Sequence, residues 1–314
     1  MYVAVYLPLV LPLLAAVSAR RLADRLDPRI ATWLLTAATV ALAAASGFAL
    51  TALAATAVGQ IPLLAELGDW SVQVLRRDDP ASFTLALSAC VLLAAALVSA
   101  GRALARRARA LIDAARTARS LPEDDERDGV VVLDDPIPDA YALPGMPGRI
   151  VVSTGMLEAL GEPERRALLA HECAHLAYGH YVFVTLAHLA ASTNPLLRPM
   201  ATAVKYATER WADEHAARVT GDRRLVAHTL ANAALLTRHR TRPGTALAIA
   251  SGLTGRSGPG PVPRRVIALL AGPPQRHRVL SVLALGVLTL AALSSIEAAR
   301  DLETLFEIAQ AAAG

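Results

Sequence analysis

The sequence predicts an integral membrane protein that is mainly α-helical, with about four transmembrane helices and a cytoplasmic α+β domain containing a small sheet. Two observations predict this fold class. The composition is 54% hydrophobic with a mean hydropathy of +0.41, above the usual range of soluble domains. The apolar residues are grouped in long uncharged runs, and about twenty such residues in a helix cross a bilayer.

Four uncharged runs are long enough to be spans. They cover residues 1–18, 30–59, 82–101 and 279–296. A cleaved signal peptide is the alternative for the first run, but no basic segment precedes it and its arginines follow it. We therefore divide the chain into three spans with their loops over 1–101, a cytoplasmic domain over 102–278, and a fourth span with a short extracellular tail over 279–314.

The distribution of arginine predicts the orientation of these spans. Arginines are concentrated after the first and third spans, whereas the second loop and the C-terminal tail are acidic on balance. Because positive residues stay on the cytoplasmic side, both termini are expected outside and the 102–278 domain inside. In this topology the basic residues that give a sequence pI near 9.4 flank the spans, where they meet the anionic head groups of the lipid membrane. A basic DNA-binding face is the alternative, but no recognition motif accompanies the charge, so we expect no direct nucleic-acid binding.

Local patterns predict the elements of the 102–278 domain. An Arg/Ala-rich helix over 103–118 continues the third span, and apolar runs predict strands over 130–133 and 149–153 with a turn-rich connection between them. Helices are predicted over 156–160, 164–179, 181–191, 198–220 and 222–237, and near 264–270. The Gly- and Pro-rich remainder of 243–274 is predicted as loop.

The segment His171-Glu172-Cys173-Ala174-His175 lies in the predicted helix 164–179. Positions i and i+4 share one helix face, so both imidazoles can bind one ion with Glu172 beside it. This is the H-E-x-x-H arrangement of zinc peptidases, in which the carboxylate accepts a proton from the attacking water. A surface helix that carries these residues by chance is the alternative. Cys173 would face away from the ion, and we interpret it as a small buried residue.

A catalytic zinc ion needs a third protein ligand, and Glu209-Arg210-Trp211-Ala212-Asp213 offers one. Glu209 and Asp213 lie one helical turn apart, so one carboxylate can bind the metal while the other accepts the free N–H of a ligating histidine. The alternative is a solvated acidic pair. Its position about 34 residues after the H-E-x-x-H segment, on the next polar helix, favours the metal site.

The H-E-C-A-H and E-R-W-A-D segments resemble the membrane-embedded gluzincin peptidases of families M48 and M56. The resemblance implies a zincin-like peptidase domain with one Zn²⁺ per chain. It implies His171, His175 and Glu209 as metal ligands, Glu172 as the catalytic base, and Asp213 as the carboxylate that orients a ligand. Three spans before the domain and one after it look more like M56. M56 receptors carry a large penicillin-binding sensor after the last span, where only about 18 residues follow here, so β-lactam sensing is not expected.

These features predict a membrane-bound zinc metalloendopeptidase whose partner is a polypeptide substrate. The M56 resemblance implies a transcriptional repressor as substrate, and the M48 resemblance implies membrane protein quality control. We expect the substrate to lie extended along the edge of the 149–153 strand. A signal-transducing membrane protein that uses the peptidase fold as a scaffold is the alternative, although no ligand or base is lost. A small-molecule transporter would leave the metal site unexplained.

Several polar residues near the motifs have roles that the sequence does not assign. A donor for the oxyanion is needed, and four residues are close in sequence. They are Tyr206, His215, Arg218 and Arg223. Each is more often structural. We interpret His180 and His188 in the same way, as ordinary helix or surface histidines, and a position lining the cleft is the alternative.

Overall fold

The structure, a computed structural model, describes residues 5–67, 69–73, 83–121, 129–238, 262–274 and 278–311. The described chain is mainly helical with one small sheet. Its elements in chain order are α1 (Leu7–Arg25), α2 (Pro28–Gly59), α3 (Pro62–Leu67), α4 (Phe83–Ser120), β1 (Val130–Leu133), β2 (Ala140–Leu143), β3 (Arg149–Ser153), α5 (Thr154–Ala159), α6 (Glu162–Ala177), α7 (His180–Thr193), α8 (Arg198–Thr220), α9 (Arg223–Arg238), α10 (Val262–Leu270) and α11 (Arg278–Ala311).

Two of the described helices are long and apolar enough to cross a membrane. They are residues Pro28–Thr56 of α2 and Thr84–Ser120 of α4. The expected number of four spans is therefore not reached in the described part of the chain. The expected first and fourth spans do form helices, α1 and α11. However, α1 has only 19 residues and ends in a charged turn, and the side chains of α11 are described only in part.

The two membrane-length helices differ in their surroundings. Half of the apolar stretch of α2 is buried inside the protein, whereas only 11% of that of α4 is buried. Leu92 and Leu97 on α4 are 57% and 65% exposed. An apolar surface of this extent on a long helix suits contact with lipid more than contact with water.

The largest hydrophobic core lies between α1, α2, α7 and α8. It includes Leu11, Leu35, Leu42, Phe183, Met200 and Trp211 among many alanines. Small alanine side chains allow the helix backbones to approach closely. Because α2 contributes to this core, a membrane-length helix packs directly against the helices that follow the H-E-x-x-H segment.

Arg210 connects α8 to the end of α1. Its Nη1 donates to the backbone carbonyls of Ala23 and Asp24 at 2.8 and 3.0 Å. The last carbonyls of a helix have no partner within the helix and carry partial negative charge, so a guanidinium satisfies them well. Arg210 is itself buried and thereby fixes α8 against α1.

The sheet has the strand order β1-β3-β2, with β1 parallel and β2 antiparallel to β3. The predicted strands 130–133 and 149–153 are confirmed as β1 and β3. β2 lies inside the segment predicted as a turn-rich connection, because two alanines in its four residues give little local preference for a strand. Since β3 is paired on both sides, the expected substrate path along its edge is wrong.

The motif helix α6 has well-defined ends. Its first turn contains Pro163, and Glu164 accepts a hydrogen bond from the Gly161 N–H at 2.9 Å, as in a capping box. At the C-terminus the Tyr178 N–H donates to the Ala174 carbonyl. Gly179 then adopts a left-handed conformation with φ +60°, which glycine tolerates best. The chain reverses here, so that α7 begins at once with His180.

Helix α9 packs against α6, α8 and α10, and α10 also contacts α8. The Arg223 guanidinium forms a bidentate ion pair with Glu214 at 2.6 and 2.7 Å and donates to the carbonyls of Leu269 and Gly272. The predicted helices 222–237 and 264–270 are confirmed as α9 and α10. Most of the predicted loop between them, residues 243–261, lies outside the described residues.

We predict that Arg210→Met lowers the free energy of unfolding by about 2–4 kcal/mol, because it leaves the carbonyls at the end of α1 buried without donors. Chemical denaturation in mild detergent, followed by tryptophan fluorescence, measures this change. Arg218→Met is the matched control, since Arg218 is exposed and donates only within its own helix. Equal stability of the two variants would contradict the role assigned to Arg210.

Candidate metal centre

The structure brings His171 and His175 together on one face of α6. Their Nε2 atoms lie 3.2 Å apart and the rings meet edge to face. Both side chains are largely buried. Two imidazole nitrogens that point into the same small space need a shared cation or a proton between them, because their lone pairs repel.

Glu209 on α8 faces the same space from the opposite side. Its carboxylate oxygens lie 3.6 Å from His171 Nε2 and 3.9 Å from His175 Nε2. One ligand atom from each of the three residues lies within 4.8 Å of the others. Glu209 follows His175 by 34 residues in sequence, and the packing of α8 against α6 thus brings three potential ligands to one point.

The three residues fit a zinc ion in both chemistry and spacing. Two imidazoles and one carboxylate are the protein ligands typical of catalytic zinc, with one position open. Zinc bonds of about 2.0–2.1 Å in a tetrahedron place neighbouring ligand atoms about 3.3–3.4 Å apart. The observed distances of 3.2, 3.6 and 3.9 Å bracket this value.

Asp213, one turn after Glu209, contacts the other nitrogen of His171. The distance from Asp213 Oδ1 to His171 Nδ1 is 3.0 Å, and the aspartate is almost fully buried. Acceptance of the Nδ1–H by a carboxylate fixes the tautomer that leaves Nε2 free for a metal. This contact supports the role predicted for Asp213, which stays a prediction.

Arg265 on α10 is a part of the site that sequence reasoning missed. Its guanidinium forms a bidentate pair with Asp213 at 2.6 and 2.7 Å and a third contact with Glu209 at 2.9 Å. The side chain is only 7% exposed. The preceding residue, Arg264, points instead to Asp24 and covers the ring of Tyr206. Nothing local distinguishes these two arginines, since only the packing of α10 against α8 decides which one is buried.

Neighbouring charges shift the pKa values of the cluster's side chains in the direction opposite to that of burial. Burial alone would raise the pKa of Asp213, but Arg265 outweighs burial and lowers it to about 2. Burial would likewise raise the pKa of Glu209, and Arg265 and the histidines hold it well below its ordinary value. Burial would lower the pKa of His171, but hydrogen bonds to Asp213 and Glu209 raise it to about 10. The environment that attracts a proton to His171 also attracts a metal cation.

Glu172 lies beside the cluster and lines the same cavity as His171 and Glu209. Burial raises its pKa to about 7, although the neighbouring His171 opposes the shift. The N–H of Ala142 in β2 donates to the Glu172 carboxylate. A carboxyl group with a pKa near neutrality, held by a backbone donor, is suited to accept and return a proton.

His180 contacts the second motif histidine. Its Nδ1 lies 3.1 Å from Nδ1 of His175, and the side chain is 1% exposed. The interpretation of His180 as an ordinary helix or surface histidine is therefore wrong. Gly179 directly before it marks the chain reversal that produces this contact, but a glycine alone does not predict where the next side chain points. His188 lies two turns further along α7, with Arg107 and Lys205 as charged neighbours.

The four residues considered as oxyanion donors lie outside the cluster or are engaged elsewhere. Arg223 and Arg218 both interact with Glu214, and Tyr206 lies beneath Arg264. His215 Nδ1 lies 3.1 Å from the Tyr178 hydroxyl.

Cys173 is exposed, so the interpretation of it as a buried residue is wrong.

An open cavity of about 220 Å³ adjoins the cluster. It is lined by His171, Glu172, Glu209 and Arg265, and by apolar side chains of α5, α6 and α9. The apolar walls include Met156, Leu168, Val226, Leu230, Ala233 and Ala234. A mainly apolar cavity with a few convergent polar groups is typical of a substrate site.

Comparison with known proteins identifies the family. The model of Peptidase family M48 matches residues 100–285, more than half of the chain, and this range contains both motifs. The expected M56 assignment is not supported. It depended on three spans before the domain and one after it, and the described residues contain two membrane-length helices rather than four.

One relative with a partial match is the chloroplastic plastoglobule-localized metallopeptidase 48 of Arabidopsis thaliana. It is 39% identical over 66 residues, which make up 20% of this chain and 19% of that protein. The match therefore spans about a fifth of the relative's length. No solved structure matches the chain significantly. Because the family match extends over more than half of its residues, the chain belongs to peptidase family M48.

Proposed function

We propose that this protein is a membrane-bound zinc metalloendopeptidase, with His171, His175 and Glu209 as the metal ligands and Glu172 as the general base. The observation that carries the proposal is the convergence of three ligand atoms within 4.8 Å, with the Glu172 carboxylate in the same cavity. The match to a peptidase family supports the activity independently of this geometry.

The catalytic roles follow from the position of each side chain. His171, His175 and Glu209 would hold a zinc ion, which would supply a Lewis acid that polarises the scissile carbonyl and lowers the pKa of a water so that a base can deprotonate it. Glu172 accepts the proton of the attacking water and passes it to the leaving amine. The Ala142 N–H holds the Glu172 carboxylate in place for this transfer. Asp213 holds His171 with its Nε2 towards the metal.

The free edge of β2 is the proposed binding strand for the substrate. Ala142 lies opposite Ile150 of β3, and its N–H turns away from β3 towards Glu172. Ala140, two residues earlier, lines the cavity on the same side. An extended peptide along this edge would hydrogen-bond to the backbone next to the general base without a requirement for a particular sequence.

The apolar walls of the cavity support a preference for apolar substrate side chains. Val226, Leu230 and Ala234 lie at intervals of four residues on α9, so they form one continuous face of that helix. A side chain next to the scissile bond would be buried against this face. The gain from such burial is about 0.8 kcal/mol per methylene group.

Polypeptides that reside in or near a membrane are the proposed substrate class, as in membrane protein quality control. The contact of α2 with α7 and α8 supports this assignment, since it places the site next to a membrane-length helix. The family match over 100–285 supports a peptidase unit near the proposed boundaries of 102–278. We retain its cytoplasmic location as a proposal from the distribution of arginine. A transcriptional repressor as substrate has no support.

We predict that Glu172→Gln lowers peptide hydrolysis by about 10²–10⁴-fold and leaves zinc binding intact, because it removes the proton acceptor and keeps the ligands. Detergent-purified protein is assayed for casein or self-cleavage and for bound zinc by atomic absorption. Glu158→Gln, on the exposed side of α5, is the matched control and keeps full activity. Bound zinc with equal, negligible turnover in wild type and Glu172→Gln would favour the scaffold alternative and overturn the enzyme assignment.

We also predict that Glu209→Gln loses zinc on dialysis, whereas Glu214→Gln retains one zinc per chain. Both residues are on α8, but only Glu209 faces the two histidines, while Glu214 pairs with Arg223. The comparison separates loss of a ligand from loss of a charge on the same helix. Retention of zinc by Glu209→Gln with wild-type affinity would exclude Glu209 as the third ligand.

Ala234→Phe tests the substrate cavity. We expect it to lower kcat/KM for peptides with a large apolar residue beside the scissile bond by at least about tenfold, and to affect peptides with alanine there much less. Leu235→Phe is the control, because Leu235 is exposed on the same helix. The two peptide series are compared by mass spectrometry of the products. Equal losses for both series would show that the cavity does not select the side chain.

A further inference from the structure

We propose that His180 is a positioning residue for the metal site, and that it accepts a hydrogen bond from His175 so that Nε2 of His175 is directed at the ion. This inference rests on the proposed function, since it assigns a partner to one of the proposed ligands. The contact that carries it joins Nδ1 of His180 to Nδ1 of His175 at 3.1 Å. Their rings are nearly perpendicular, at 87°.

The direction of this hydrogen bond follows from the proposed ligand. Two Nδ1 atoms at hydrogen-bond distance share one proton, which belongs to one ring or the other. A metal on Nε2 of His175 requires the proton on its Nδ1. His175 is therefore the donor, and His180 must accept through an unprotonated Nδ1. The tautomer of His180 is then fixed as well, with its proton on Nε2.

The surroundings hold the His180 ring in this orientation. Its ring centre lies 4.8 Å from that of Trp211, and the ring of Tyr178 stacks on it at 5.9 Å. The left-handed Gly179 allows the chain to fold back between Tyr178 and His180. No described residue bonds to the buried Nε2 of His180. A side chain needed only for packing would avoid this unpaired donor, as a phenylalanine does.

The two motif histidines would then have different partners. His171 donates to the Asp213 carboxylate from α8, and His175 donates to a neutral imidazole from α7. Both contacts leave Nε2 free on the side of Glu209. Each motif histidine would therefore be oriented by a side chain from a different helix. Asp213 of α8 would orient the ring of His171, and His180 of α7 would orient the ring of His175.

Three variants at position 180 test this role in full-length, detergent-purified protein. His180→Phe keeps an aromatic ring but removes the acceptor, and His180→Asn keeps an acceptor oxygen near the position of Nδ1. His180→Ala repeats the loss of the acceptor without an aromatic ring. His188→Phe is the matched control on the same helix. Zinc affinity is measured by competition with a chromogenic chelator, and the absorption spectrum of the Co²⁺-substituted protein reports the ligand geometry.

We expect His180→Phe to bind zinc about 10–100-fold more weakly, the effect typical of a lost partner to a ligating histidine, with a melting temperature at least equal to wild type. His180→Asn should restore affinity and the wild-type Co²⁺ spectrum. Weaker metal binding without loss of stability is a combination that a packing role would not produce. Should His180→Phe fail to fold, His180→Ala against His180→Asn provides the same comparison.

The outcomes separate this inference from the proposed function. Zinc binding by wild type with unchanged affinity in His180→Phe would overturn the positioning role alone. Equal losses in His180→Asn and His180→Phe would also overturn it, because the acceptor would then not matter. Absence of zinc binding in wild type would overturn the proposed function and this inference with it.

Discussion

The buried ion pair between Arg265 and Asp213 is the interaction on which the site depends. An almost fully buried guanidinium is tolerated only when it is paired, and here Asp213 and Glu209 supply the pairing. Asp213 on α8 contacts both Arg265 on α10 and His171 on α6. Its carboxylate therefore connects three helices. Loss of one partner from such a pair costs about 3–5 kcal/mol, since the remaining charge stays buried. The same charges that stabilise the packing thus also set the orientation of a proposed ligand.

Helix α8 uses each of its faces for a different contact within five residues. Glu209 faces the two motif histidines, and Arg210 binds the end of α1. Trp211 packs against His180, and Asp213 receives His171 and Arg265. A shift of α1 would therefore move the same helix that carries Glu209, the proposed third ligand. This arrangement explains why the helices before residue 100 share a core with the site rather than forming a separate layer.

Sequence reasoning identified what local spacing determines. The i, i+4 positions of His171 and His175, and of Glu209 and Asp213, follow from helix geometry and were predicted. Arg265 and His180 were not, because their place in the site depends on how α10 and α7 pack, which no nearby residue specifies. β2 was missed because its alanines prefer no strand and its pairing with β3 is non-local. Four spans were expected and two membrane-length helices are found in the described part of the chain, because uncharged length alone does not separate a span from a short helix that ends in charged residues, such as α1.

The neutral character of the proposed partner at position 180 has an electrostatic consequence. Glu209 and Asp213 together carry two negative charges, and Arg265 offsets one of them. A divalent cation would therefore bring the protein and ion together to an excess of one net positive charge once Glu172 has taken a proton from the water, and the hydroxide left by that transfer would carry the balancing negative charge to the substrate. That excess arises at the stage when negative charge develops on the carbonyl oxygen of the substrate, and it would stabilise this charge. A carboxylate in place of His180 would orient His175 equally well but would cancel the excess, so an imidazole is the partner better suited to hydrolysis.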